Sequence, residues 1–167
     1  MPTTELLQAA RPSTSTPSTE KLPLAGYGAL VLVYAATAGA FLGVASSHLP
    51  KRIELGDVLL LGVATHKLAR IVAKDRVTSP LRAPFVTFVR TSGAGEVEER
   101  SRGVGIRRAI GDLLTCPWCM APWVALGLVA TFVAKPRIGR ALATLLCTVA
   151  VSDWMQHGYV ALKRATR

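Results

Sequence analysis

Asparagine is missing from all 167 residues, so the chain offers no acceptor for N-glycosylation. Cysteine occurs three times, at Cys116, Cys119 and Cys147, too few for the disulfide framework that staples small secreted domains. Aromatic residues make up 6% of the chain, and no aromatic RNA-binding signature, helix-turn-helix or zinc-finger pattern accompanies the net charge of +10. Nucleic acid is therefore not the partner that the basic charge indicates, although Lys and Arg can follow phosphates. Phosphate-cradling lysine loops, Gly-x-Ser-x-Gly elbows and His-Glu-x-x-His helices are absent too, and the motifs do not indicate an enzyme. Charge itself is sparse at 18%, below the quarter or so usual in a soluble domain.

What is abundant is apolar sequence. Half of the residues are hydrophobic and the mean hydropathy is +0.37. Charge is excluded from long runs rather than thinned evenly, as in a polytopic membrane protein. Residues 24–47 hold no charge, and a bilayer core needs roughly 20 apolar residues. The run is too long, and its leading tail too neutral, for a cleaved signal peptide. Residues 116–134 form a second clean run, closed by Lys135-Pro-Arg137. Residues 141–162 form another, with Asp153 as its one charge and Lys163 and Arg164 behind it. Residues 55–73 are less clean, because His66, Lys67 and Arg70 follow an apolar start. A cation at mid-membrane costs about 2.5–3.5 kcal/mol, less if it snorkels to the nearer surface. The expected fold is an all-α membrane bundle with four spans, or three if residues 55–73 lie on the surface. No internal repeat is present.

Between the spans lie polar elements. Residues 1–23, rich in Ser, Thr and Pro, read as a disordered tail, and 24–167 as a single membrane domain. In the 74–115 loop, Thr78-Ser-Pro-Leu-Arg-Ala-Pro84 is expected to be extended or turned, since each Pro disfavours helix in the residue before it. Residues 85–90 are β-prone, 91–95 read as a turn and 96–101 as a returning strand, which predicts a small hairpin. From Val104 to Thr115, Ile106, Ala109, Ile110, Leu113 and Leu114 recur at helical spacing. That pattern suits a helix lying flat among headgroups, or equally a satellite of the bundle core.

Lys and Arg set the orientation. With four spans, the tail, the 67–108 segment and the C-terminus carry fifteen of the twenty, against five on the other side. With three spans the count is again fifteen to five. Either way the positive side, and with it the central loop and the C-terminus, is expected in the cytoplasm of a bacterial inner membrane.

Chemistry can reside in few places. Cys116-Pro-Trp-Cys119 opens the 116–134 run, with Pro117 at the first helical position and Cys116 as the N-cap. A thiolate there gains from the helix dipole, so Cys116 is expected to be the more reactive thiol. The spacing resembles a thioredoxin-type site, but the βαβ surroundings are absent. Zinc is the alternative at Cys116 and Cys119, although it ordinarily takes four ligands and Asp112 is the nearest further donor in sequence. Simple packing or helix capping is the third reading, and no cofactor is otherwise predicted. Within the membrane, His66 and Arg70 share one helix face, as do Asp153 and His157. An Asp in lipid demands a partner, which Lys67, Arg70 or His66 can supply as a static lock between helices or as part of an ion path.

Three segments together resemble a known family: Ala64-Thr-His-Lys-Leu-Ala-Arg70, the run from Lys74 to Phe85, and Gly111-Asp-Leu-Leu-Thr-Cys-Pro-Trp-Cys119 with Trp123. They resemble the domain of unknown function thirteen-sixty, which includes YjcA-like sporulation proteins, over about residues 55–160. The resemblance implies a small bacterial inner-membrane protein with no established activity. It draws attention to Lys74, Asp75, Thr78, Ser79, Pro80 and Arg82 in the loop, beside His66, Lys67, Arg70, Cys116, Cys119 and Asp153. Three functions fit: an interaction or assembly factor of the envelope, a thiol-redox or metal-binding protein using Cys116 and Cys119, and a small transporter centred on Asp153. The expected partners are the lipid bilayer and a protein at the cytoplasmic face, and a homo-oligomer is compatible with both.

Overall fold

A computed structural model describes residues 22–47, 54–93 and 95–166. The tail expected at 1–23 falls almost wholly outside these residues. The protein is mostly helical. Four long helices, α1 (Leu24–Ala45), α2 (Leu55–Lys74), α5 (Pro117–Ala134) and α6 (Pro136–Ala165), form a bundle. Between α2 and α5 come a 3-10 turn (Arg76–Thr78), a one-turn helix α3 (Ser79–Arg82), a hairpin of β1 (Val86–Gly93) and β2 (Glu96–Ser101), and the helix α4 (Gly105–Thr115). These elements form a polar cap on one end of the bundle.

Three of the long helices, α1, α5 and α6, are long and apolar enough to cross a membrane, which marks a membrane protein. Helix α2 is not, because Asp57, Lys67, Arg70 and Lys74 punctuate it. Helix α6 starts at Pro136, five residues earlier than the apolar run suggests. Pro is well placed in the first turn of a helix, and Lys135 alone forms the break from α5. That break is tight: a side chain at Gly139 would lie 2.4 Å from Phe132 Cα. Arg140 then folds over the Phe132 ring, 5.5 Å from its centre.

Small residues let the helices approach. Ala64 and Ala143 are fully buried and pack with Leu128 and Leu146, while Leu60, Leu61, Leu68, Ile71, Val124 and Cys147 complete the cluster. In lipid, helix association depends on such close packing, since apolar burial alone gives no advantage over lipid tails. Helices α2 and α6 run in the same direction. Asp57 pairs with Arg140 near their starts at 3.0 Å, Cys147 Sγ meets Leu60 O at 3.1 Å, and Lys67 meets Asp153 further on. Helices α1 and α5 are also parallel. Tyr27 donates to Asp112 just before α5, and Tyr34 stands edge-on to Trp123 about two turns inside it, their ring centres 5.2 Å apart.

The hairpin forms where expected, antiparallel, with Val86 opposite Ser101 and Gly93 opposite Glu96. Its turn needs backbone that glycine adopts readily: Gly93 and Gly95 have φ of +87° and +83°. Register shifts near Val89 and Ser92 twist it. The inner residues Val97 and Glu99 are buried, whereas β1 is exposed beyond Val86. Helix α4 also forms as expected. It is wedged between the start of α1 and the hairpin: a side chain at Gly26 would strike Ala109 Cβ at 2.8 Å, and one at Gly111 would strike Phe85 O at 2.6 Å.

The Thr78–Pro84 segment departs from expectation. Ser79 and Ala83 both precede proline, yet both are helical, with φ, ψ of −51°, −39° and −47°, −34°. Local preference is overridden by tertiary bonds. Thr78 Oγ1 donates to Ile71 O at 2.5 Å and Asp75 O at 2.9 Å, which folds the chain back onto the end of α2.

Candidate functional site

A helix ends with carbonyls that have no partner within it. At the end of α2 these carbonyls are gathered by Arg82. Its Nη1 donates to Val72 O at 2.5 Å and Thr78 Oγ1 at 2.6 Å, and its Nη2 donates to Asp75 O at 2.9 Å. Its Nε donates to Glu99 Oε2 at 2.5 Å. The side chains of Arg82 and Glu99 are 1% and 2% exposed, and Ser79 donates to the other Glu99 oxygen. A buried arginine is tolerable only when its donors are matched in this way. Among the family-motif residues, Thr78, Ser79 and Arg82 therefore weld α2, α3 and β2 together, and Pro80 stands in the first turn of α3.

Asp112 is a second junction. One of its carboxylate oxygens accepts from Tyr27 at 2.7 Å, the other from Ser101 at 2.6 Å, and Arg108 lies 3.8 Å away. One side chain thus ties α1, β2 and α4. Both of its oxygens are engaged, so as it stands Asp112 is no free metal ligand for the neighbouring thiols.

The polar groups of α2 and α6 meet at a cleft of about 700 Å³ between these helices and the hairpin tip. His66, Lys67, Arg70, Asp75, Asp153 and His157 all line it, with Glu96 and Trp154. Lys67 Nζ lies 2.6 Å from Asp153 Oδ2. Arg70 takes a different partner, Glu96 at the start of β2. Asp75 joins Glu96 by a β-bridge, and Arg76 N donates to Gly95 O at 2.9 Å, so the hairpin tip is fastened over the cleft mouth. Lys74 ends α2 as its last-turn cation.

The Asp75 carboxyl accepts no hydrogen bond among the described residues. Burial pushes its pKa up, with Glu96 and Asp153 adding to the rise and Lys67 and Arg70 opposing it. The linkage sign follows. An acid whose pKa is higher in the folded state holds more protons there than when unfolded, so stability falls as pH rises through that window. Asp75→Asn should therefore raise the melting temperature at pH 7, and the gain should vanish towards pH 4. A thermal melt of the purified variant against pH checks this; an equal gain at both pH values refutes it.

Cys116 stands at the N-cap of α5, where its Sγ accepts a hydrogen bond from Cys119 N at 3.2 Å. Both thiols are free. Cys116 is half-buried and Cys119 exposed, which gives Cys119 the readier access to reagents. No group of three His, Cys, Asp or Glu side chains converges as a metal centre among the described residues. The pair alone supplies half of a four-ligand zinc site. Trp118, 84% exposed beside them, borders a small hollow with His66 and Arg70.

Glu96, Glu99 and Tyr27 were not singled out from the sequence, and Asp112 only as a neighbour of the thiols, although each holds a junction. Glu99 sits in a run of three glutamates within four residues, and only alternation along β2 could have marked it as the inward one.

Residues 60–159 match the family model described as "Protein of unknown function (DUF1360)". The chain is 32% identical over 110 residues to Sporulation protein YjcA of Bacillus subtilis (strain 168), spanning 59% of this chain and 93% of that protein. It is 27% identical over 96 residues to UPF0713 protein YngL of the same organism, spanning 57% of this chain and 72% of that protein. No solved structure matches.

Proposed function

From the premise that the chain belongs to the DUF1360 family, we propose that it is a bacterial inner-membrane interaction or assembly factor, with a rigid cytoplasmic cap held on a four-span bundle. The observation that carries this is how the polar residues are used. Three groups of bonds fix the cap: Arg82 with Thr78, Glu99 and, through Glu99, Ser79; Arg70 with Glu96; and Asp112 with Ser101 and Tyr27. The outer strand β1 is meanwhile left exposed, with Phe88 and Val89 in the open. Rigid mounting of an exposed strand suits recognition, because a free edge can accept a partner strand.

Helix direction supports four spans. If α2 lay on the membrane surface, α1 and α5 would be consecutive crossings and run opposite ways. They run the same way, as do α2 and α6. Helix α2 has 20 residues, about 30 Å at 1.5 Å per residue, enough for a bilayer core. Its charges have partners: Asp57 with Arg140 at one end, Lys67 with Asp153 towards the other. Among the described residues, twelve of fifteen Lys and Arg lie on the cap side, which favours a cytoplasmic cap. In spheroplasts, an impermeant thiol reagent should leave Cys116 and Cys119 unlabelled until the membrane is opened. Prompt labelling from outside reverses the orientation.

The interaction role is tested by cross-linking and capture from native membranes. Wild-type protein should retain a defined partner that Phe88→Ser/Val89→Ser loses while still inserting normally. Equal capture by both proteins, or none by either, rejects the role. A transporter centred on Asp153 draws support from the cleft that holds His66, His157 and Asp75. The Lys67 pairing of Asp153 favours a static lock over a mobile ion site. Redox use of Cys116 and Cys119 rests on their shared helix turn alone.

A further inference from the structure

Two arginines on the cap converge on a single neutral atom. Arg102 Nε and Nη2 each lie 3.2 Å from the carbonyl oxygen of Pro84, and Arg107 Nε and Nη2 lie 3.3 and 2.8 Å from the same oxygen. Neither guanidinium has a carboxylate within ion-pair distance among the described residues, in contrast to Arg70, Arg82, Arg90 and Arg140. Two like charges held side by side on one carbonyl repel each other unless an anion joins them. Their outer edges keep N–H donors in the fork geometry that suits phosphate.

The chain between them is doubly kinked. Gly103 and Gly105 adopt φ of +85° and +57°, a backbone that side chains disfavour. The double kink thrusts Val104 outward to 85% exposure, with Ile106 half exposed behind it. Depth follows from packing. Gly105 lies against Gly26, where an added side chain would meet Gly105 O at 3.0 Å. Gly26 is two residues inside the apolar helix that begins at Leu24. The apolar tip therefore stands at the level where the membrane run starts, and the arginines flank it.

We infer that the Arg102–Arg107 turn is a lipid site: Val104 enters the acyl boundary while Arg102 and Arg107 together grip the phosphate of an anionic phospholipid headgroup. An apolar tip between two cations matches a surface that is oily below and anionic above. Free phosphate would satisfy the arginines but leave Val104 without a role, so the lipid is the occupant. The inference rests on the bundle standing in a bilayer and not on which side the cap faces. Failure of partner capture or of the orientation test leaves it untouched.

The test is native mass spectrometry of the detergent-purified full chain, titrated separately with dioleoylphosphatidylglycerol, dioleoylphosphatidylcholine and inorganic phosphate. Wild-type protein should retain phosphatidylglycerol in preference to phosphatidylcholine, and millimolar inorganic phosphate should not displace it. Arg102→Gln/Arg107→Gln should weaken that binding roughly tenfold or more, given about one kcal/mol for each cation near an anionic surface. Arg100→Gln, an exposed cation on β2, should leave it unchanged. Val104→Ser keeps both charges and should weaken phosphatidylglycerol binding without creating sensitivity to inorganic phosphate, which serves if the double variant fails to fold. Wild-type affinity in the double variant, an equal loss in Arg100→Gln, displacement by inorganic phosphate, or no effect of Val104→Ser each overturns the site.

Discussion

Arg82→Ala should detach the cap from the bundle and cost about 3–5 kcal/mol, the usual cost of breaking a buried pair from one side. The variant removes four hydrogen bonds at once and leaves Glu99, 2% exposed, as an uncompensated buried charge. It also strips Val72 O of the arginine donor at the end of α2 and leaves Asp75 O to Thr78 alone. Arg82→Lys should rescue little, because an ammonium cannot reach Glu99, Thr78 and two carbonyls from one planar fork. Glu99→Gln should be milder than Arg82→Ala, since an amide oxygen can still accept from Nε. Hydrogen exchange on the reconstituted protein is the measurement. Amides of β2 and the Arg76–Arg82 segment should lose protection together, while those of α5 and α6 keep theirs. Unchanged protection of β2 in Arg82→Ala would remove Arg82 from its role as the weld.

That junction also shows what the sequence makes legible. The long helices could be read from charge exclusion, the hairpin from β-prone residues on either side of a glycine turn, and Cys116 as an N-cap from the proline beside it. Each depends on physics that acts within a few residues. Glu99 could not be read as the partner of Arg82, because Glu96, Glu98 and Glu99 look alike in sequence and take three different arginines: Arg70, Arg90 and Arg82. Which glutamate points inward depends on which face of β2 turns to the core: Val97 and Glu99 alternate inward, and the three glutamates by themselves do not say which parity is buried. Likewise the helical turns at Ser79 and Ala83 run against the local rule for residues before proline. Bonds from Thr78 and Arg82 to the distant end of α2 outweigh that preference, and no short window contains them. Asp112 drew notice only for its nearness to the thiols, whereas its real partners, Tyr27 and Ser101, come from elements on either side of the cap.

Inside the bundle the same kind of pairing decides the second large effect. Asp153→Ala should destabilise the protein by about 3 kcal/mol, the usual cost of breaking a buried pair from one side, because it strands Lys67, whose side chain is 13% exposed between α2 and α6. Asp153 itself is the wetter partner, 39% exposed towards the cleft, so the penalty falls mainly on the lysine left behind. Replacing both, as in Lys67→Met/Asp153→Ala, should recover most of the loss, since an apolar pair of similar length suits the packing of α2 against α6. Arg70 cannot take over as partner without releasing Glu96 and loosening the hairpin tip. Arg70→Gln should therefore act additively with Asp153→Ala, whereas Lys67→Met should not. Unfolding free energies in bicelles for the single and double variants give the coupling directly. Strict additivity between positions 67 and 153 would mean that the 2.6 Å contact contributes nothing to the bundle. Strong coupling, with Lys67→Met alone costing less than Asp153→Ala, would identify a static lock between parallel helices, with the cleft beside it free for other use.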